Sequence, residues 1–146
     1  MLFLFASLGV GLIGFYQLAL DEAVREAGRQ IQIDAPAGAS GSNFATAVCR
    51  TFSSMAPDCT ASVTYNVQAS TLSAGFGALT PVPLPATGKF GNAFFASGTA
   101  YAAGVNVLVQ VSYPLPFNLP YVGVLITATG TNSIMSTTAF RVEPFG

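Results

Sequence analysis

Residues 2–31 read LFLFASLGVGLIGFYQLALDEAVREAGRQI, and this stretch decides the architecture. From Leu2 to Leu20 no side chain is charged. A run of that length approaches the roughly 20 apolar residues that cross a bilayer core. Leu2, Phe3, Leu4, Phe5, Leu8, Val10, Leu12, Ile13, Phe15 and Leu18 are the expected lipid-facing residues of an anchor helix. Gln17 is the only strongly polar side chain of the run, and near its end it can reach an interface. A cleaved signal peptide is the main rival, but its apolar core spans about 7–15 residues behind a basic region. Here the basic region is missing and the run is longer. A buried helix of a soluble domain is the other rival.

The helical pattern does not end at Leu20. Tyr16, Leu20, Ala23, Ala27 and Ile31 recur at spacings of three and four, which places them on one helix face. Asp21, Glu22, Arg25, Glu26, Arg29 and Gln30 take the other face. Asp21 and Arg25 stand at i,i+4 with the acid first, the favoured order. No proline interrupts before Pro36. One helix of roughly 30 residues follows, about 45 Å long at 1.5 Å per residue. Its first part lies in lipid, and Ala23, Ala27 and Ile31 lie on the sheet of the same chain. Ala6, Ser7, Gly9, Gly11 and Gly14 lighten the membrane part, and the Ser7–Gly11 spacing permits close helix approach.

Residues 34–42, DAPAGASGS, form a turn-prone linker. Ser42 or Asn43 then caps a short helix that ends near Phe52 and carries Phe44, Val48 and Phe52 on one face. Cys49 and Cys59 are the only cysteines. An even pair on the outer side of an anchor predicts a disulfide, tying the short helix to the first strand; two free thiols are the alternative.

Beyond Cys59 the period changes to two. Ala61, Val63, Tyr65 and Val67 alternate with polar residues, and Val105, Val107, Val109, Val111 and Tyr113 alternate with Asn106, Leu108, Gln110 and Ser112. Val122, Val124, Ile126 and Ala128 share a face, as do Ile134, Phe140 and Val142. Such strands bury one face and wet the other. Gly130 to Ser133 is the expected hairpin turn before the last strand, and Pro114, Pro116 and Pro120 bound a connection before it. Residues 69–104 read as a long loop around Pro81, Pro83 and Pro85. Its Phe90, Phe94, Phe95 and Tyr101 either fill the core or face a neighbouring subunit. The fold class is therefore α+β: residues 1–33 an anchor helix with an extracytoplasmic extension, 34–42 a linker, and 43–146 a small antiparallel sheet domain with one disulfide.

Only 8% of the residues are charged, and the net charge is −1. Without a cluster of cations, nucleic acid is not an expected partner. A neutral surface rich in hydroxyls and amides is poorly defended against association, and suits packing against neighbours; a neutral secreted domain is the alternative. The chain has no His, so Ser-His and Cys-His nucleophiles are excluded. It has no Lys-bearing phosphate loop. No enzymatic activity, metal or cofactor is expected.

Taken in order, the apolar anchor, the helix segment Ala23-Val24-Arg25-Glu26-Ala27-Gly28-Arg29, the Phe44–Cys49–Cys59 segment, the strands and the closing Phe140-Arg141-Val142-Glu143-Pro144-Phe145 resemble the TadE-like pseudopilins, minor pilins of bacterial tight-adherence pili. The resemblance spans almost the whole chain. It implies a pilin-like fold and a role in assembling a type IV-like pilus for surface attachment. The implied partners are the lipid bilayer, other pilin subunits and the pilus assembly machinery. The implied location is the bacterial inner membrane with a periplasmic domain, or a pilus outside the cell. Ser7, Gly11, Gly14, Phe94, Phe95, Arg141 and Glu143 are the assembly candidates; for Arg141 and Glu143 the alternative is a solvated pair on one strand face. Family members carry a basic leader, a peptidase site and an early Glu in the apolar helix. Here no acid precedes Asp21, and the natural start is expected upstream of Met1. The alternative function is a membrane-anchored extracytoplasmic binding module that does not polymerise.

Overall fold

A computed structural model describes residues 2–33, 40–70, 73–95, 104–117 and 132–142. Helix α1 runs unbroken from Leu2 to Ile33. Helix α2 follows at Gly41–Phe52, and a single turn, α3, at Cys59–Ser62. The strands are β1 (Thr64–Ser70), β2 (Ala93–Phe94), β3 (Asn106–Pro114) and β4 (Ser133–Arg141), in the spatial order β2-β1-β3-β4.

The sheet is mixed rather than antiparallel throughout. β1–β3 and β3–β4 are antiparallel, whereas β2 pairs parallel with β1 through Asn66↔Ala93 and Val67↔Phe94. A parallel neighbour needs a crossover of a dozen or more residues, and the long Pro-rich segment between β1 and β2 is enough to return the chain to the same end. Val122, Val124, Ile126, Ala128, Pro120, Tyr101, Gly130 and Thr131 lie outside the described residues, as do 34–39 of the expected linker.

Leu20, Ala23, Ala27 and Ile31 are buried, as the three-and-four spacing requires, and Val24 and Gly28 join them. This wider stripe meets two partners. One flank packs on β4, where a Cβ added at Gly28 would lie 3.0 Å from Phe140 Cε1. The other flank packs on α2. The expectation that the stripe faces the sheet alone is thus corrected: a helix with apolar residues at i, i+3, i+4 and i+7 has a face wide enough for two neighbours.

Helix α2 starts earlier than Ser42 or Asn43 would allow. Ser40 is its N-cap, and its hydroxyl accepts from the Asn43 N–H at 3.2 Å. Phe44, Val48 and Phe52 point into the core. Cys59 sits on α3, not on a strand, and Ala61 and Ser62 are helical as well; the N–H groups of Ser62 and Val63 bond back to Asp58 and Cys59, so the first strand begins only at Thr64.

One face of the sheet carries Tyr65, Val67, Val107, Val109, Val111, Tyr113 and Ile134 against the helices. The opposite face was expected to be wet and is not. Asn106, Leu108, Gln110 and Ser112 are buried. Part of the Pro-rich segment lies over this face. The Gln110 amide donates to Val82 O at 2.8 Å and accepts from Val82 N–H at 2.9 Å, so a side chain mimics a strand partner. The Phe90 N–H donates to Thr64 Oγ1 at 2.9 Å, and that hydroxyl pairs with Ser112 Oγ at 2.6 Å. Polar residues can be buried here because backbone of the covering segment satisfies them.

At Gly41 the backbone of α2 comes close to Tyr65 of β1. A Cβ there would collide with the Tyr65 hydroxyl and ring, and Tyr65 is itself held edge-on by Phe44 and Phe94. Gly41→Ala should therefore lower stability in denaturant unfolding, by about 1–3 kcal/mol as for other overpacked sites. Gly14→Ala, where nothing lies within 4 Å, should cause no loss, because Ala is the better helix former.

Candidate membrane and assembly surface

By length and composition, the N-terminal helix is long and apolar enough to cross a membrane. Its two faces behave differently along its length. Phe3, Leu4, Phe5, Leu8, Val10, Leu12, Phe15 and Leu18 are all exposed. Ile13, expected in lipid with them, instead belongs to the core cluster. Its position four residues before Gln17 and seven before Leu20 puts it on the domain-facing stripe. The Leu2 side chain lies outside the described set. Past Leu18 the exposed positions become charged: Glu22, Arg25, Glu26 and Arg29.

Three small residues of the apolar part of α1, Ser7, Gly11 and Gly14, are exposed, whereas Gly9 is buried. At about 100° per residue they fall on the face opposite the buried stripe. Nothing lies within 4 Å of a Cβ at Gly11 or Gly14, and Ser7 Oγ bonds back to Leu4 O at 2.9 Å. A flat, hydrogen-bond-satisfied strip is left open there.

Gln17, near the end of the apolar run, makes its hydrogen bonds inside the protein. Its Nε2 donates to Met135 O of β4 at 2.8 Å and to Asp21 Oδ1 at 3.1 Å. Asp21, expected to pair with Arg25, is thus engaged by an amide one turn earlier. The physical reason is tertiary: β4 brings a carbonyl to Gln17, which fixes the amide beside Asp21. Tyr16 is the companion anchor point. Its hydroxyl donates to Met55 O at 3.3 Å, and its ring packs edge-on to Phe52 and Phe117 at 6.2 and 5.5 Å.

Cys49 and Cys59 form the disulfide, with Cα atoms 5.6 Å apart. It closes the turn between α2 and α3 beneath the buried Phe52 ring, which lies edge-on to Tyr113 at 4.9 Å. Phe94 and Phe95 stack at 4.7 Å. Phe94 also meets Phe44 and Tyr65, both at 6.3 Å, while Phe90 is buried. Both Phe94 and Phe95 are half-buried, so they line the core edge and still present ring surface outward. Beside them a cleft of about 250 Å³ separates α1 from α2, lined by Gln30, Ile31, Asn43, Ala47, Arg50 and Phe94 among others. Its lining offers amides, one guanidinium and apolar surface, with no carboxylate or thiol among the described residues.

Arg141 ends β4 with an exposed side chain, and its carbonyl accepts from Gln32 Nε2 at 3.2 Å. Val142 is fully buried and Phe140 half-buried against Gly28, so the expected burial of both is met at Val142 and only in part at Phe140. Glu143 lies outside the described residues. The structure does not bring the assembly candidates to one place. Ser7, Gly11 and Gly14 lie at one end of α1, while Arg141 lies beside Gln32 at the other. Sequence reasoning missed Tyr16 and Gln17 as the joint between helix and domain. The signal was there in part: two polar-tipped residues on the inner face of an apolar helix call for internal hydrogen-bond partners.

Comparison with protein-family models, with curated proteins and with solved structures finds no match to this chain.

Burial pushes the Tyr113 phenol above its ordinary value of 10.0, and Tyr16 and Asp58 add to the rise. The fold therefore favours the neutral phenol. Its stabilising contribution is complete below the ordinary value and is lost as pH climbs past it toward the raised folded value. The urea midpoint should fall above about pH 10, and Tyr113→Phe should make that fall shallower. Reduction of the Cys49–Cys59 bond should cost about 2–3 kcal/mol in the same assay, on the loop-entropy model.

Proposed function

We propose that this chain is a pilin-like structural subunit of a type IV-like, tight-adherence pilus. In this reading α1 holds it in the bacterial inner membrane, with the disulfide-linked domain on the periplasmic side. The pilus machinery then moves the subunit into a filament, or uses it to prime one, for surface attachment. The observation that carries the reading is the double use of α1. One unbroken helix is exposed and apolar in its first part and forms the spine of the domain in its second. A subunit built so can exchange lipid for neighbouring helices without refolding, because the domain keeps its grip on residues 13–31 throughout. Two further features support it. A disulfide belongs to an oxidising compartment. The strip of Ser7, Gly11 and Gly14 faces away from the domain, where a neighbouring helix could approach closely. The reading assigns the chain no catalysis, cofactor or nucleic acid.

The test is fractionation of piliated cells. The chain should co-purify with sheared filaments and crosslink to other pilin subunits. Retention in the membrane alone, with filaments lacking it, would favour the non-polymerising binding module. Arg141→Glu addresses the surface contact. The variant should fold, judged by an unchanged denaturation midpoint, but enter filaments several-fold less, at about 1.4 kcal/mol per tenfold. Normal incorporation would leave Arg141 a solvated residue and place the assembly contacts on α1 and around Phe94 and Phe95.

A further inference from the structure

The domain takes hold of α1 before the apolar exposed surface of α1 has ended. Gly9 and Ile13 are already buried, whereas Phe15 and Leu18, further along the helix, are 60% and 69% exposed. Between Gly9 and Leu18 one side of the helix carries the buried positions Gly9 and Ile13, and the other side is exposed and apolar. That overlap is about 14 Å long at 1.5 Å per residue.

From this geometry we infer that the domain is seated in the bilayer interface rather than above it, with the rim formed by Tyr16, Met55, Pro116 and Phe117 in contact with lipid. The inference rests on the membrane anchoring proposed above and adds the depth of the domain. Lipid, not a second copy, is the occupant when the subunit is held in the membrane. The exposed apolar residues from Phe3 to Leu18 occupy about 220° of the helix circumference at about 100° per residue, and a single packing stripe needs only about 100°.

Polar groups at this level are arranged for such a setting. In lipid each must be satisfied within the protein. The Tyr16 hydroxyl has Met55 O, and both donors of the Gln17 amide nitrogen are used, on Met135 O and Asp21 Oδ1. Tyr16 has the apolar body and polar tip of an interfacial aromatic. Two carboxylates mark the limit of immersion: Asp21, half-buried on α1, and Asp58, exposed beside α3. The opposite end of the sheet stays in water. There Gln32 meets Arg141, and Ser70 leads to the exposed Phe76 through its bond to Gly75 O.

The chain has no Trp, so single-Trp variants report their own surroundings. Phe5→Trp, Leu18→Trp, Phe117→Trp, Pro116→Trp and Phe76→Trp, each in the full chain, are placed in phosphatidylcholine vesicles. The lipids carry bromine either near the headgroup or deep in the acyl chain. Deep bromine should quench Phe5→Trp. Shallow bromine should quench Leu18→Trp and Phe117→Trp to a similar degree, and Phe76→Trp should lose no emission to either. Pro116→Trp, at an exposed rim position, repeats the Phe117 measurement without touching the packing on Tyr16. Quenching of Phe5→Trp without quenching of Leu18→Trp and Pro116→Trp overturns the seating and leaves the anchoring intact. Leu18→Trp shielded from both bromolipid and aqueous acrylamide overturns it in favour of a second copy on that face. An unquenched Phe5→Trp removes the anchoring and the seating together.

Discussion

Everything in this molecule depends on the lengthwise packing of α1 against β4. The two run in the same direction. Gln17 bonds to Met135 at one end, Gly28 abuts Phe140, and Gln32 bonds to the Arg141 carbonyl at the other. From Gln17 to Gln32 the helix climbs about 22 Å, and from Met135 to Arg141 an extended strand climbs about 20 Å. The lengths agree, so the ends can be pinned by side-chain amides to strand carbonyls while small residues let the middle close. Because Ala23, Ala27 and Gly28 have little or no side chain, the helix comes close enough for Val24 and Leu20 to reach the core.

That packing determines the rest in sequence. With one flank of α1 on β4, the other flank is left for α2, which lies over Tyr65 and the aromatic edge of Phe44, Phe94 and Phe95. The disulfide then fixes the turn out of α2, and the chain enters β1 from beneath the buried Phe52. With helices filling one side of the sheet, the Pro-rich segment is free to cover the other. Its prolines lack N–H groups to pair, and at Val82 the two backbone groups that remain are taken by Gln110.

The arrangement also separates tasks. The helix end nearest the apolar run carries the joint formed by Tyr16 and Gln17, and the far end carries Arg141. The domain stays packed whatever surrounds the first residues of the chain, since hydrophobic burial of residues 20–31, worth about 1.5–3 kcal/mol for each large side chain, does not depend on them.

By itself the sequence determined the long helix, its buried face at Leu20, Ala23, Ala27 and Ile31, the inward residues of α2 and the inward face of β3, and it favoured the cysteine pairing over two free thiols. Each of these follows from a local repeat or from a count: period 3.6, period 2, two cysteines. It did not determine the parallel pairing of β2, the cap at Ser40, the burial of Ile13 or the partners of Gln17 and Gln110. These depend on which element arrives beside them, and nothing in a residue's own neighbourhood encodes a partner far along the chain. The same reason explains the misjudged outer face of the sheet. Asn106, Gln110 and Ser112 read as wet because their side chains are polar, and only the tertiary structure supplies the partners that let such a face be buried, the Val82 backbone for Gln110 and the Thr64 hydroxyl for Ser112.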